Sequence, residues 1–320
     1  MNILTHITRL LVAVTFIFSG FVKLVDPLGS AYKFEEYFGA DVLNLEFLTP
    51  YALQFSVLLI LAEIMLGVML LVGYKARLTV WSLFLITALF LFLTWYSAYY
   101  NKVTDCGCFG DAIKLSTWET FYKNIILIGL IIVLLLKVTF IKPIFKGKIP
   151  MIITFLSLAL FLFTVKHVLT HLPLIDFRAY AIGKNIPEGM VFPADGSIAP
   201  VHDFMLEDAQ ADLAPELLRQ EKVMLVIVYN LDKADVNGFR AIKEIGRKAK
   251  KKGYTVYGVS ASFSDDLVLA KEKYNLPFDF LFCDETTLKT MIRANPGVVI
   301  LNKGTVVEKK NWVDVEEIEL

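Results

Sequence analysis

Five apolar stretches, each close to the length that crosses a bilayer (roughly 20 residues), occupy about residues 7–25, 51–73, 78–98, 120–138 and 150–170 of a 320-residue chain. Hydrocarbon offers no partner for a bare peptide group, so such a stretch is restricted to a helix or to a strand of a closed barrel. These runs are continuously apolar and do not alternate, which points to helices. Residues 1–172 hold 13 Lys+Arg and 9 Asp+Glu, and the remainder holds 19 and 23 with an ordinary soluble composition. The overall net charge of zero thus hides a membrane half and a mildly acidic water-soluble half, and no basic surface argues for nucleic acid. Arg9 followed by an apolar core from Leu10 to Phe18 resembles the start of a secretory signal. Gly20-Phe21-Val22-Lys23-Leu24 follows in place of a small-x-small cleavage site, so a retained helix is expected.

Basic residues in short loops orient the spans. Lys75 and Arg77 stand without an acid between the second and third spans, and Lys137, Lys142, Lys146 and Lys148 stand without one between the fourth and fifth. The first connection mixes Lys33 with Glu35, Glu36, Asp41 and Glu46, and the third mixes Lys102 and Lys114 with Asp105, Asp111 and Glu119. The alternation places the N-terminus in the cytoplasm and, after five crossings, the soluble half outside, which in a bacterium is the periplasm. Trp95, Tyr96, Tyr99 and Tyr100 close the third span while Trp118 and Tyr122 open the fourth, as interfacial rings do.

Between those aromatic belts lies Asp105-Cys106-Gly107-Cys108-Phe109-Gly110, and Cys283 is the only other cysteine. The expected compartment is oxidising. An i, i+2 disulfide closes a very small ring, removes little chain entropy and stores strain, and strained exposed disulfides tend to be exchangeable. Four readings of Cys106 and Cys108 stand side by side: electron or disulfide transfer, a static staple, a metal site, and thiols with no chemical role. The metal reading is short of ligands, since no histidine lies near in sequence.

Charges inside the spans are few. Glu63 falls near the middle of the second span, where a carboxylate is costly unless neutral or paired. A proton-handling or quinone-site carboxylate and a plain interhelical hydrogen bond are both open. Lys23 is a candidate partner, or it snorkels from the outer end of the first span. Small Ala62 and Gly67 flank Glu63 and allow close approach of a neighbouring helix. His167 and His171, spaced i, i+4, share one helix face and read as an interfacial pair.

Phe18-Ser19-Gly20-Phe21-Val22-Lys23-Leu24-Val25-Asp26-Pro27, Ala62-Glu63-Ile64-Met65-Leu66-Gly67 and Cys106-Gly107-Cys108-Phe109-Gly110 resemble the DoxX-like membrane proteins, the cysteine motif in particular the MauE branch of methylamine utilisation. The resemblance covers about residues 5–140. It implies a four-helix inner-membrane bundle, here with a fifth helix added, and a part in maturing disulfide-containing periplasmic enzymes.

After Pro173 the pattern alternates. Val223–Tyr229 suits a buried strand, 236–252 an amphipathic helix with Phe239, Ile242, Ile245 and Ala249 on one face, and 254–260 a second strand. A helix at 264–274, the segment 279–284 and a hairpin at 297–308 turning at Asn302-Lys303-Gly304 complete an α/β sandwich of thioredoxin type. Over about 183–312 the order resembles thioredoxin-like domains of the TlpA/peroxiredoxin group. That resemblance implies a cis-proline at Pro296 and assigns the family's Cys-x-x-Cys positions to Ala234 and Asn237, so the domain is expected to lack the catalytic thiols. The aspartates and Lys233 of the replacement loop read as a solvated turn or as a binding rim. Cys283 reads as a buried small apolar residue.

The expected chain is therefore a multi-pass α-helical membrane bundle (1–140), a basic linker with a fifth transmembrane helix (141–175), and a periplasmic thioredoxin-like domain (176–320). The expected role is thiol–disulfide redox or maturation of a periplasmic partner, with the soluble domain as docking module. A scaffolding subunit of an envelope complex with a static disulfide is the competing class, and small-molecule transport has only Glu63 in its favour. No metal or cofactor is called for, although a quinone is chemically compatible with Glu63. The expected partners are the lipid bilayer and an envelope protein.

Overall fold

The computed structural model describes residues 3–103, 110–113, 115–194, 196, 198–202 and 204–320. They form two compact units, Met1–Leu169 and Thr170–Leu320. Cys106 and Cys108 lie outside the described residues.

The first unit contains α1 (Ile3–Val25), α2 (Pro27–Phe38), α3 (Ala52–Val72), α4 (Ala76–Tyr100), α5 (Thr117–Leu136) and α6 (Ile149–Thr170). Among the described residues, five helices are long and apolar enough to cross a membrane, α3 together with the 3-10 turn Glu46–Tyr51 that leads into it. Apolar side chains such as Leu58, Leu85, Leu89 and Phe163 point outward, the reverse of a water-soluble bundle. This is a multi-pass membrane protein. The short α2 stands in the first connection, where the sequence shows only mixed charge. Its local cause is legible afterwards: Pro27 occupies the first helical turn and the Asp26 side chain accepts from the Gly29 amide at 3.0 Å.

Helix α1 lies directly on α3. A Cβ at Gly20 would sit 2.7 Å from Ile64 Cβ, and one at Gly67 would sit 2.8 Å from Ile17 Cγ1, so each glycine admits the other helix. Toward the start of α1, Arg9 is buried and spends its donors on carbonyls left over at the end of α3. Its Nε donates to Leu70 O at 2.8 Å, Nη2 to Leu71 O at 2.9 Å, and Nη1 to Lys142 O at 3.0 Å. Gly73, with φ +76, ends α3 at this junction, and a side chain there would strike both Lys142 O and the guanidinium.

The second unit is a five-stranded mixed sheet with helices. Two helical turns, α7 (Ile186–Gly189) and α8 (Ala214–Leu217), precede β1 (Val223–Ile227), α9 (Gly238–Lys251), β2 (Thr255–Ser260), α10 (Ser264–Tyr274), β3 (Phe280–Phe282), α11 (Glu285–Met291), β4 (Gly297–Asn302) and β5 (Thr305–Asn311). The strand order is β3-β2-β1-β4-β5. Strand β1 is parallel to β2 and β2 to β3, whereas β4 is antiparallel to both β1 and β5. All five residues of β1 are buried, because both faces of the sheet are covered. Met224, Val226 and Ile300 meet Phe239, Ile242 and Ile245 on the α9 side, and Leu225, Ile227 and Val299 pack with Phe204, Leu206 and Leu288 on the other. Lys303 and Gly304, at φ 47 and 75, supply the two-residue turn between β4 and β5.

A buried ion cluster ties the entry segment to β5. Asp176 accepts from Arg178 Nε at 2.7 Å, from Arg178 Nη2 at 2.9 Å and from Lys309 Nζ at 2.7 Å. Burial alone would raise the Asp176 carboxyl, but the charges and hydrogen bonds of Arg178 and Lys309 outweigh it and hold the group below its ordinary value. A carboxylate lowered in the folded state contributes stability above its unfolded value, and that contribution disappears as pH falls through the folded one. Asp176→Asn strands two buried cations and is expected to cost roughly 3–5 kcal/mol. The measurement is faster hydrogen exchange of the β5 amides in the full chain at neutral pH, with the difference from the unaltered protein shrinking in acid.

Candidate functional site

Among the described residues, the first unit buries an ionic cluster deep among its helices. Lys23 and Ser19 stand one turn apart on α1, and Glu63 faces them from the middle of α3, where the Gly20 and Gly67 contacts bring the two backbones together. Lys23 Nζ donates to Glu63 Oε2 at 2.8 Å and to Ser19 Oγ at 2.7 Å, and Ser19 Oγ donates to the same Oε2 at 3.0 Å. Glu63 is 1 % exposed and Lys23 6 %. The lysine therefore does not snorkel; it neutralises the carboxylate, as charges held in an apolar interior must be. The other oxygen, Glu63 Oε1, is buried with no hydrogen-bond partner among the described residues.

Glu63 also lines a cavity of about 20 Å³ together with Thr15, Phe16 and Ser19 of α1, Phe90 of α4, and Lys123, Asn124 and Leu127 of α5. Asn124 is buried and its Nδ2 donates to Thr94 Oγ1 at 3.4 Å. Lys23 lies near the end of α1, Thr94 near the end of α4, and Lys123 and Asn124 in the second turn of α5. The polar group thus gathers toward the end of the bundle from which the α4–α5 connection leaves. Gly110, in that connection, returns against α1: a Cβ there would sit 3.1 Å from Val22 Cγ1, the residue before Lys23.

Residues 1–137 match the family described as methylamine utilisation protein MauE. No curated protein and no solved structure matches the chain. The MauE-like membrane segment runs from α1 through α5 and carries the whole Lys23–Glu63 cluster, while α6 and the second unit fall outside it. Cys106 and Cys108 fall within the MauE-like segment and outside the described residues.

In the second unit, Ala234, Asn237 and Pro296 converge at one end of the sheet. The Asp235 amide donates to Asn295 O at 2.9 Å, and Asn295 Nδ2 donates to Asn230 O at 2.7 Å. The Asn295–Pro296 peptide is cis. A Cβ at Gly238 would lie 2.6 Å from Pro296 Cγ, so the first residue of α9 abuts the proline. Ala234 packs partly buried against the α9-side core, and Asn237 is exposed with its side chain on Asp235 at 3.0 Å. Neither position offers a nucleophile. Cys283 is 1 % exposed, and burial, reinforced by the Asp284 charge, pushes its thiol up to about 12. It carries no thiolate at neutral pH and packs as a small apolar residue.

The two histidines part company. His171 Nδ1 meets Asp314 at 2.8 Å, whereas the His167 ring stacks on Phe163. Among the described residues no three His, Cys, Asp or Glu side chains gather closely enough to hold a metal ion. Ser19, Lys123 and Asn124 join the site without standing out in the sequence. The i, i+4 spacing of Ser19 and Lys23 and the polar pair inside the fourth apolar run were the signals available.

A double-mutant cycle measures the cluster. Lys23→Met alone leaves a buried carboxylate uncompensated and is expected to cost roughly 3–5 kcal/mol, whereas Lys23→Met/Glu63→Gln should recover more than half of the loss. Thermal unfolding in detergent reads both; additive losses would mean that the two side chains do not interact.

Proposed function

We propose that the chain is a bacterial inner-membrane protein that supports thiol–disulfide exchange or maturation of a periplasmic partner through Cys106 and Cys108. Its second unit serves as the docking module. The observation that carries this reading is a Cys-Gly-Cys sequence inside a segment that matches the MauE family. Charge bias in the short loops supports a periplasmic position for both that sequence and the C-terminal unit after five crossings. In exchange, a client thiolate attacks one sulfur of the Cys106–Cys108 disulfide, a mixed disulfide forms, and the other sulfur leaves as thiolate. A second client thiol then displaces the bound cysteine, so the client is oxidised by two electrons and the pair is reduced. The family description names methylamine utilisation; the proposal carries over maturation and not the amine, because nothing in the chain specifies that substrate.

The docking role of the second unit rests on its thioredoxin-type arrangement. That arrangement is supported by β1-α9-β2 with parallel strands, the β4–β5 hairpin antiparallel to β1, and Pro296 against the start of α9. A scaffolding subunit with a static disulfide is the second reading. It is favoured by one observation: the second unit offers no exchangeable thiol, since Ala234 and Asn237 carry none and Cys283 is buried.

Cys106→Ser/Cys108→Ser separates the two. The exchange reading expects partners co-purified with the double variant to lose their disulfides, scored by alkylation and mass shift. Unchanged partner oxidation and abundance in the double variant, alongside a phenotype for deletion of the whole chain, would transfer support to scaffolding.

A further inference from the structure

Glu63 is arranged in a way that a purely structural ion pair does not require. A carboxylate serving only to join two helices would place both oxygens on donors, because an unpaired polar atom in an apolar interior costs roughly 1–3 kcal/mol. Here Lys23 and Ser19 converge on Oε2, and among the described residues Oε1 has no partner. The adjoining cavity of about 20 Å³ has polar walls in Ser19, Lys123 and Asn124 as well as Glu63. One water needs roughly 10–15 Å³ and two to four polar partners, so the space suits a single water and is far too small for a ring such as a quinone head group.

We propose that Glu63 is an intramembrane proton-exchange site, its free oxygen bridged by one water to Asn124 and Lys123 and through them to the aqueous end of α5. The network tolerates both charge states of the carboxyl. In the ionised form Oε2 receives Lys23 and Ser19; when a water-borne proton adds to Oε1, the water is left neutral and Oε2 remains an acceptor. The Lys23 ammonium keeps Ser19 Oγ as a second acceptor at 2.7 Å throughout. Lys123 is half-buried and stands six residues into α5, about 9 Å along the axis from Thr117 at 1.5 Å per residue. The exposed Ser116–Glu119 capping box marks the mouth.

Among the described residues, the charges around Glu63 are few enough to enumerate. Lys23 faces it from α1 and Lys123 from α5, whereas α4 presents uncharged Phe90 and Thr94. Helix α6 turns Val165 to the Ile60–Ile64 side of α3 and leaves Lys166 exposed. Helix α2 meets α3 at Ser56, two turns away, with Lys33 and Glu36 paired to each other at 2.9 Å, and Glu46 is exposed in the turn before α3. No proton step here uses the loop thiols, so the site is tested apart from the exchange reading.

The test is infrared difference spectroscopy of the full chain in nanodiscs of phosphatidylethanolamine and phosphatidylglycerol. A carboxyl band that grows on acidification, shifts in D₂O and is missing from Glu63→Gln is the expected result. Should Glu63→Gln fail to fold, Lys23→Met/Glu63→Gln supplies the same assignment. Asn124→Leu, which fills the cavity, and Lys123→Met are expected to slow the D₂O shift by roughly a hundredfold, the effect of removing a positioned proton-transfer group. A Glu63 signal indifferent to bulk pH and D₂O, or one that exchanges equally fast in Asn124→Leu and Lys123→Met, identifies a static ion pair and overturns the proposal.

Discussion

Hydrocarbon accepts no unpaired charge or peptide group, and α1 satisfies that constraint near both of its ends. Arg9 gives its guanidinium to carbonyls at the end of α3 and in the middle of the α5–α6 connection, and Lys23 gives its ammonium to Glu63. Between these two pins the glycines at 20 and 67 remove the side chains that would hold the helices apart. The α1–α3 pair is thus held by polar contacts that have no competitor in lipid. Packing of Val12, Phe16, Leu83 and Ile131 then completes the α1–α4–α5 core.

The second unit solves an ordinary aqueous problem. A sheet covered on both faces buries β1 completely, and the Asp176–Arg178–Lys309 cluster secures the chain that enters it from the membrane segment. Its thiol chemistry is closed off by burial at Cys283 and by residue choice at Ala234 and Asn237. Any exchange therefore falls to the pair in the α4–α5 connection, which is why the proposed division of labour assigns chemistry to the membrane half and recognition to the soluble half.

Much of this frame is legible in the sequence, because length and continuous apolarity leave a membrane span few alternatives. The run read at 51–73 is α3 at Ala52–Val72, and the helix read at 264–274 is α10 at Ser264–Tyr274. The buried strand at Val223, the Lys303–Gly304 turn and the burial of Cys283 follow from patterns a few residues long. What the sequence conceals is partnership across distance. Lys23 and Glu63 are 40 residues apart, so whether the lysine pairs or snorkels depends on how α1 rotates against α3. In the sequence Arg9 is a charge before an apolar core, and its carbonyl partners come from two separate segments. Lys123 and Asn124 were absorbed into an apolar run, and only the folded bundle shows which face they turn inward. Helix α2 was hidden because a cap and a proline carry little hydropathy signal.

The compartment of the second unit turns on the crossings that precede it: α5 and α6 separate the α4–α5 connection from the C-terminus, and two crossings would return the chain to the same aqueous side. The direct measurement is a pair of fusions after Leu320: alkaline phosphatase, which matures only outside the cytosol, and green fluorescent protein, which fluoresces only within it. Active phosphatase with a dark fluorescent fusion is the result that five spans from a cytoplasmic N-terminus predict. Inactive phosphatase with bright fluorescence would put the second unit in the cytosol and contradict the account.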